Sequence, residues 1–223
     1  MTTALRPAVF SDVEGTLISI SFPRTYFEQA REMGLVPTIN IVQTGILNLL
    51  SKPFSPKSKV GGILRYLAIM TAMRNLPMSM NAQVMDRVNP LLHQALKPKT
   101  IACIRQYEAQ GYPVILVSAA LQQGVETFAA TLGWRGEGTR PILDGDRFTG
   151  RAEKPLTGAE KVVRVRQVAT EMGIDLASSV GLGDTVSDSA FLSILGAACV
   201  VDPDPDLRAI ATEKGWDILD SSG

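Results

Sequence analysis

Short apolar runs, each ending abruptly in polar residues and separated by helix-length segments, constrain this chain more than any other feature. Ala8-Val-Phe-Ser-Asp is the first run and Pro113-Val-Ile-Leu-Val-Ser-Ala the second. Ser179-Val-Gly-Leu-Gly-Asp and Ala198-Cys-Val-Val-Asp follow, with Trp216-Asp-Ile-Leu as a candidate last member. Between and after them lie segments of helical length: Thr100–Gln110 closed by Gly111, Gln122–Leu132, Thr157–Met172, Ser187–Leu195 and Pro205–Lys214. Apolar strands alternating with helices predict an α/β fold whose parallel sheet is covered on both faces. Arg140–Thr149, with Asp144-Gly-Asp146 at its middle, predicts a hairpin appended to that sheet.

Residues 18–96 read differently. Eight bases (Arg24, Arg31, Lys52, Lys57, Lys59, Arg65, Arg74, Arg87) stand against three acids (Glu28, Glu32, Asp86). The span is therefore +5, and with a net charge of zero the remainder must be −5. Five of the eight methionines (Met70, Met73, Met78, Met80, Met85) fall within sixteen residues of this span. Strand-like alternation is scarce, so the span predicts helices broken at Pro53, Pro56, Gly61, Pro77 and Pro90. The expected organisation is an α/β body (1–17 and 97–223) with a helical insertion (18–96). Three readings of the methionines stay open: packing between helices, an adaptable apolar pocket, or a basic apolar face resting on anionic membrane, which needs a clear amphipathic helix.

Composition narrows the function classes. At 45% hydrophobic and 20% charged, 223 residues can bury a sizeable core. The greasy stretch Gly61–Met73 is broken by Arg65, and nothing ahead of Val9 resembles a signal-peptide core, so a cytoplasmic protein without a membrane span is expected. The two cysteines, Cys103 and Cys199, stand in unrelated surroundings and imply neither a disulfide framework nor zinc. A single histidine, His93, argues against His-rich metal sites and a Ser-His-Asp triad. Zero net charge gives no hint of nucleic acid.

Ligands of an open α/β sheet sit at the carboxyl ends of its strands. The first run stops at Ser11-Asp12-Val13-Glu14-Gly15-Thr16, the second at Ser118, the third at Gly183-Asp184-Thr-Val-Ser-Asp188. Taken singly, such residues are ordinary turn formers and helix caps. Together, with Gly15 and Gly183 permitting close backbone approach, they form a carboxylate cluster. Carboxylates without histidine suit a hard cation, foremost magnesium, and magnesium beside a free aspartate suits phosphoryl chemistry. A cation must also neutralise the phosphate, and Lys154 and Lys161 are the candidates. Thr157-Gly-Ala-Glu160 fits a capping box, which starts a helix at Thr157 and sets Lys161 in its first turn.

Asp12-Val-Glu14-Gly-Thr-Leu, Ser118 after a Val-Ile-Leu-Val strand, Lys161, and Gly-Asp184-Thr-Val-Ser-Asp188 resemble, in order, the four motifs of the haloacid-dehalogenase-like (HAD) hydrolase superfamily. The likeness covers about residues 8–17 and 97–220. The tail from Asp202-Pro-Asp-Pro-Asp to Trp216-Asp-Ile-Leu, and the insertion after the first motif, resemble the phosphoserine-phosphatase-like branch with its helical cap. The resemblance implies a three-layer Rossmann-like parallel sheet and a magnesium-dependent phosphomonoester hydrolase acting on a small, anionic phosphorylated metabolite. It implies Asp12 as nucleophile, Glu14 as acid and base, Ser118 and Lys161 as phosphate-binding groups, and Asp12, the Val13 carbonyl, Asp184 and Asp188 around magnesium. Lys161 is preferred to Lys154 because its spacing to Asp184 is closer to the family pattern. One departure stands out. Family phosphatases usually carry aspartate at Glu14, although a branch resembling enolase-phosphatase uses glutamate. A dehalogenase would lack this acid, and a P-type ATPase would carry threonine. The alternatives are a phosphotransferase or mutase, and a non-catalytic binding protein that keeps the fold. Phosphoserine as substrate would ask for an arginine and an acid in the insertion, such as Arg24 or Arg65 with Glu28.

Overall fold

The computed structural model describes residues 5–54 and 59–221; Pro56 and Lys57 lie outside them. In chain order the strands are β1 (Val9–Ser11), β2 (Val114–Leu121), β3 (Arg135–Thr139), β4 (Pro141–Asp144), β5 (Arg147–Ala152), β6 (Val180–Gly183), β7 (Ala197–Val201) and β8 (Asp217–Leu219). The helices are α1 (Phe22–Glu32), α2 (Thr38–Ser51), α3 (Lys59–Met73), α4 (Asn81–Gln94), α5 (Pro98–Glu108), α6 (Gln122–Leu132), α7 (Ala159–Met172), α8 (Ser189–Leu192) and α9 (Pro205–Lys214). The chain packs as two compact units. One gathers the described residues of Met1–Ser21, Leu91–Thr139 and Lys154–Gly223, the other those of Phe22–Pro90 and Arg140–Glu153.

The first unit is built on a six-stranded sheet ordered β3-β2-β1-β6-β7-β8, and every pairing is parallel. β1 lies at its centre, with Ser11 level with Leu116 on one side and Leu182 on the other. Ala8, Phe10, Ile115, Val117, Ala198 and Val200 form one buried face with Val165 and Val168 of α7, Phe191 of α8 and Leu207 of α9. The alternate residues Val9, Val114 and Leu116 are also buried, as a sheet covered on both sides requires. Each such side chain contributes about 1.5–3 kcal/mol by leaving water.

Edge strand β3 has no apolar run, and nothing in the pattern announces it. Its Arg-Gly-Glu-Gly-Thr sequence is chosen by packing: a Cβ at Gly136 would stand 2.6 Å from the Val125 carbonyl oxygen of α6. Glu137 is buried there with Arg135 at 2.6 Å and Arg164 at 2.9 Å.

In the second unit α2 packs on α3, and the hairpin corrects the expectation. β4 and β5 pair only with each other, and they belong with the helices rather than with the parallel sheet. Backbone bonds Asn75 N–H to Phe148 O (2.8 Å) and Phe148 N–H to Leu76 O (3.0 Å) stitch β5 to the chain leaving α3. The Ser79 hydroxyl closes the other end on Asp146 at 2.6 Å. Two expected breaks are absent: α3 runs through Gly61 and α4 through Pro90. Met70, Met73 and Met85 are buried, and Met78 and Met80 partly so, which favours packing for most of the methionine cluster.

Candidate active site

Parallel register brings the tips of β1 and β6 side by side. The Asp12 N–H donates to Leu182 O at 2.9 Å, so Asp12 leaves the sheet next to Gly183 and Asp184. The chain then turns sharply, with Leu17 and Ile18 N–H both donating to the Val13 carbonyl at 2.9 and 3.0 Å. The Val13 carbonyl, which the resemblance sets among the metal ligands, accepts both bonds of this turn. Gly15 has φ +80°, and a Cβ there would lie 2.1 Å from Oδ2 of Asp184. Only glycine lets the turn press against that carboxylate. The buried Thr16 hydroxyl donates to Asp184 Oδ1 at 3.0 Å.

Lys161 enters from the first turn of α7, which starts at Ala159 after Gly158 rather than at Thr157. Gly158 adopts φ +49°, and no side chain caps the helix, so the expected capping box does not form. Lys161 is 3% exposed. Its ammonium donates to Asp12 Oδ1 at 2.5 Å and Asp188 Oδ1 at 2.7 Å and lies 5.2 Å from the Phe191 ring centre. Lys154, by contrast, is exposed and pairs with Glu160 at 3.3 Å.

Asp188 uses its second oxygen to hold its own loop, accepting from the N–H groups of Asp184 (3.3 Å) and Thr185 (3.2 Å) and the Thr185 hydroxyl (3.1 Å). Ser118 does not end its strand. β2 continues to Leu121 through an irregularity after Val117, and the buried Ser118 Oγ accepts from Ala120 N–H at 3.0 Å. Glu14 sits partly exposed in the turn, its backbone bridged to Ile18. Thus Asp12, Lys161, Asp184 and Asp188 are in mutual contact or close to it, and Ser118 stands at the same end of the sheet.

The electrostatics are those of crowded, half-dry carboxylates. Burial pushes Asp12 up to about 6, against the pull of Lys161 and with a further push from Asp188. Burial, then the charges of Asp12 and Asp188, raise Asp184 to about 7. Burial opposes the charge on Lys161, but Asp12 and Asp188 outweigh it and raise its pKa, so it stays an ammonium. Oxygens of Asp12, Asp184 and Asp188 lie within 4.8 Å of one another. Three carboxylates share one ammonium, and the all-oxygen donor set fits a hard divalent cation.

Several supporting residues have contacts that the sequence does not announce. Asp204 caps α9 through Leu207 N–H (2.8 Å), accepts from Val186 N–H (3.2 Å), and its own N–H reaches Asp184 O (2.9 Å), so it braces the Asp184 loop. The Lys97 ammonium bonds to the Gly15 carbonyl and to Asp202 (2.8 Å), tying the first-motif turn to the end of β7. Cys103 and Cys199, expected to be unrelated, lie within hydrogen-bonding reach of each other as free thiols.

Comparison with known proteins agrees with this geometry. A Mycobacterium tuberculosis protein described as a probable phosphatase is 32% identical over 146 residues, 63% of this chain and 51% of that protein. The chain therefore spans about half the length of that relative. A Bordetella pertussis structure of unknown function superposes with TM-score 0.79 at 22% identity, covering 98% of this chain and 100% of that one. A phosphoserine phosphatase solved as a phospho-aspartyl intermediate analogue gives TM-score 0.62 at 18% identity, over 98% of this chain and 94% of that one. These two likenesses establish the α/β fold. The family model described as haloacid dehalogenase-like hydrolase matches residues 9–193, the span that holds Asp12, Ser118, Lys161, Asp184 and Asp188, and the chain belongs to that family.

Proposed function

We propose that this phosphatase of the haloacid dehalogenase-like family hydrolyses phosphomonoesters through an aspartyl-phosphate on Asp12, with magnesium as its cation. One observation carries the reading: a buried lysine bonded at once to Asp12 and Asp188, with Asp184 close by. An Asp12 carboxylate oxygen attacks phosphorus, and the bond from phosphorus to the ester oxygen breaks. Glu14 gives its proton to the departing alcohol. Glu14 then takes a proton from water as that water attacks phosphorus, which frees inorganic phosphate and the Asp12 carboxylate. Lys161 holds the Asp12 carboxylate in place and offsets phosphate charge, and Ser118 binds a phosphoryl oxygen. Asp12 and Asp184 would hold the magnesium ion, which would supply charge neutralisation between the two anions. Asp188 acts from behind, positioning Lys161 and the Asp184 loop.

The substrate on this reading is a small phosphorylated metabolite, with residues 1–17 and 97–223 as catalytic body and the insertion 18–96 as cap. Phosphoserine gains no support from Arg24 and Glu28, which are exposed and pair with each other at 2.8 Å. Release of phosphate from p-nitrophenyl phosphate, with and without magnesium, tests the proposal. Turnover undiminished in excess chelator would refute the magnesium assignment. Undiminished turnover by Asp12→Asn would refute the covalent route.

A further inference from the structure

Helix α2 is built inside out. Its polar residues Asn40, Thr44 and Ser51 are buried, while Ile39, Val42, Ile46, Leu49 and Leu50 are exposed, Leu49 to 62%. The inward groups are satisfied: Asn40 Nδ2 donates to Arg74 O at 2.6 Å, and the Ser51 hydroxyl to Asn48 O at 2.8 Å. The exposed residues recur at spacings of three and four, a single stripe along the helix. On α3, Val60, Ile63 and Leu67 repeat the spacing and are likewise exposed, whereas Ala68 and Ala72 are buried. Apart from Met70 and Met73, which α3 buries, the two packed helices thus turn small and polar residues inward and many of their large apolar ones to solvent. Exposed apolar stripes of this kind mark an interaction site.

Charge decides the occupant. No acidic residue stands between Glu32 and Asp86, while Lys52, Lys57, Lys59, Arg65 and Arg74 all fall in that interval. Lys52 is exposed at the end of α2. Two copies of so basic an interval repel each other, whereas an anionic lipid surface offers both an apolar layer and the opposite charge. No helix among the described residues is long and apolar enough to cross a membrane. With 14 residues, α2 is about 21 Å long, which suits lying in the headgroup layer. We propose that the α2–α3 face docks this protein on anionic bilayers, with the apolar stripe seated at the boundary of headgroups and acyl chains.

Flotation of the full chain with vesicles tests this. Vesicles of equal parts phosphatidylcholine and phosphatidylglycerol should carry the protein up, and pure phosphatidylcholine vesicles should bind at least about tenfold less, since basic residues near the surface attract anionic lipid. Ile46→Glu combined with Leu49→Glu should cut binding to the mixed vesicles at least about tenfold, because charge opposes entry of the stripe. Its circular dichroism and its turnover of a water-soluble aryl phosphate should match wild type, as both side chains are exposed. Failure of the wild type to float, or equal flotation of the double variant, would overturn the proposal. So would a wild-type dimer that the double variant dissociates, because a second copy would then cover the face.

Discussion

Asp12 is held between a partner that wants it charged and a burial that does not, and the residues around it show how narrow the tolerance is. Asp12→Asn keeps shape and removes the proposed nucleophile. Steady-state turnover should fall at least about 1,000-fold, about 4 kcal/mol of barrier, with an unchanged far-ultraviolet spectrum. Gly15→Ala probes position instead of chemistry. The left-handed backbone costs about 1–2 kcal/mol for an L residue, and the new methyl must displace the Asp184 carboxylate. Thermal denaturation should show a modest loss and turnover a fall of more than about tenfold, a barrier change of about 1.4 kcal/mol. The acidic positions were legible because strand tips in an open sheet are few and theirs end in carboxylates. The turn that closes on the Val13 carbonyl was not, because no residue type announces its two hydrogen bonds.

Elements, more than residues, escaped the sequence. β3 was invisible because close approach to α6 selects glycine where strand propensity would select valine. The hairpin was recognised but assigned to the wrong sheet, since a turn motif says nothing about which surface its strands join. Gly61 and Pro90 looked like punctuation, yet both sit inside helices. α6 and α9, in contrast, fall on the residues their patterns indicated, each ending at a left-handed glycine, Gly133 and Gly215. The link between the first-motif turn and the end of β7 makes a prediction at this scale. Partial burial opposes the charge on Asp202, but its bonds to Lys97 and Ser221 prevail and hold it down at about 2, below the usual 3.8. A carboxyl depressed on folding contributes stability above its unfolded pKa and loses it as pH falls through the folded value. The window is therefore from about pH 4 down to about 2, and the contribution is about 1 kcal/mol after solvent screening. Asp202 sits at φ +41°, a conformation asparagine also tolerates. Acid denaturation of Asp202→Asn should lack this part of the wild-type slope, and identical slopes would show that the ion pair does not stabilise the fold.

At the scale of the whole molecule, ligand linkage offers a readout independent of turnover. An ion bound only by the folded state, at ten times its Kd, contributes about 1.4 kcal/mol. For a chain of this size that raises Tm by about 3–6 °C. Magnesium should produce such a shift in scanning calorimetry, chelator should reverse it, and Asp184→Asn should abolish it. A shift of equal size in the variant would place the ion elsewhere. The family was readable from four spaced motifs, whereas the inverted burial of α2 needed coordinates, because apolar spacing cannot say which face looks inward. The strand order carries a consequence for synthesis. β1, the earliest strand of this sheet in chain order, becomes its centre, and its flank on β6 is 171 residues downstream, as the Ala8–Ser179 bond records. At cellular elongation rates that interval is roughly 10–35 s. Throughout it β1 carries an unpaired edge, which a chaperone would meet and a stalled chain would expose.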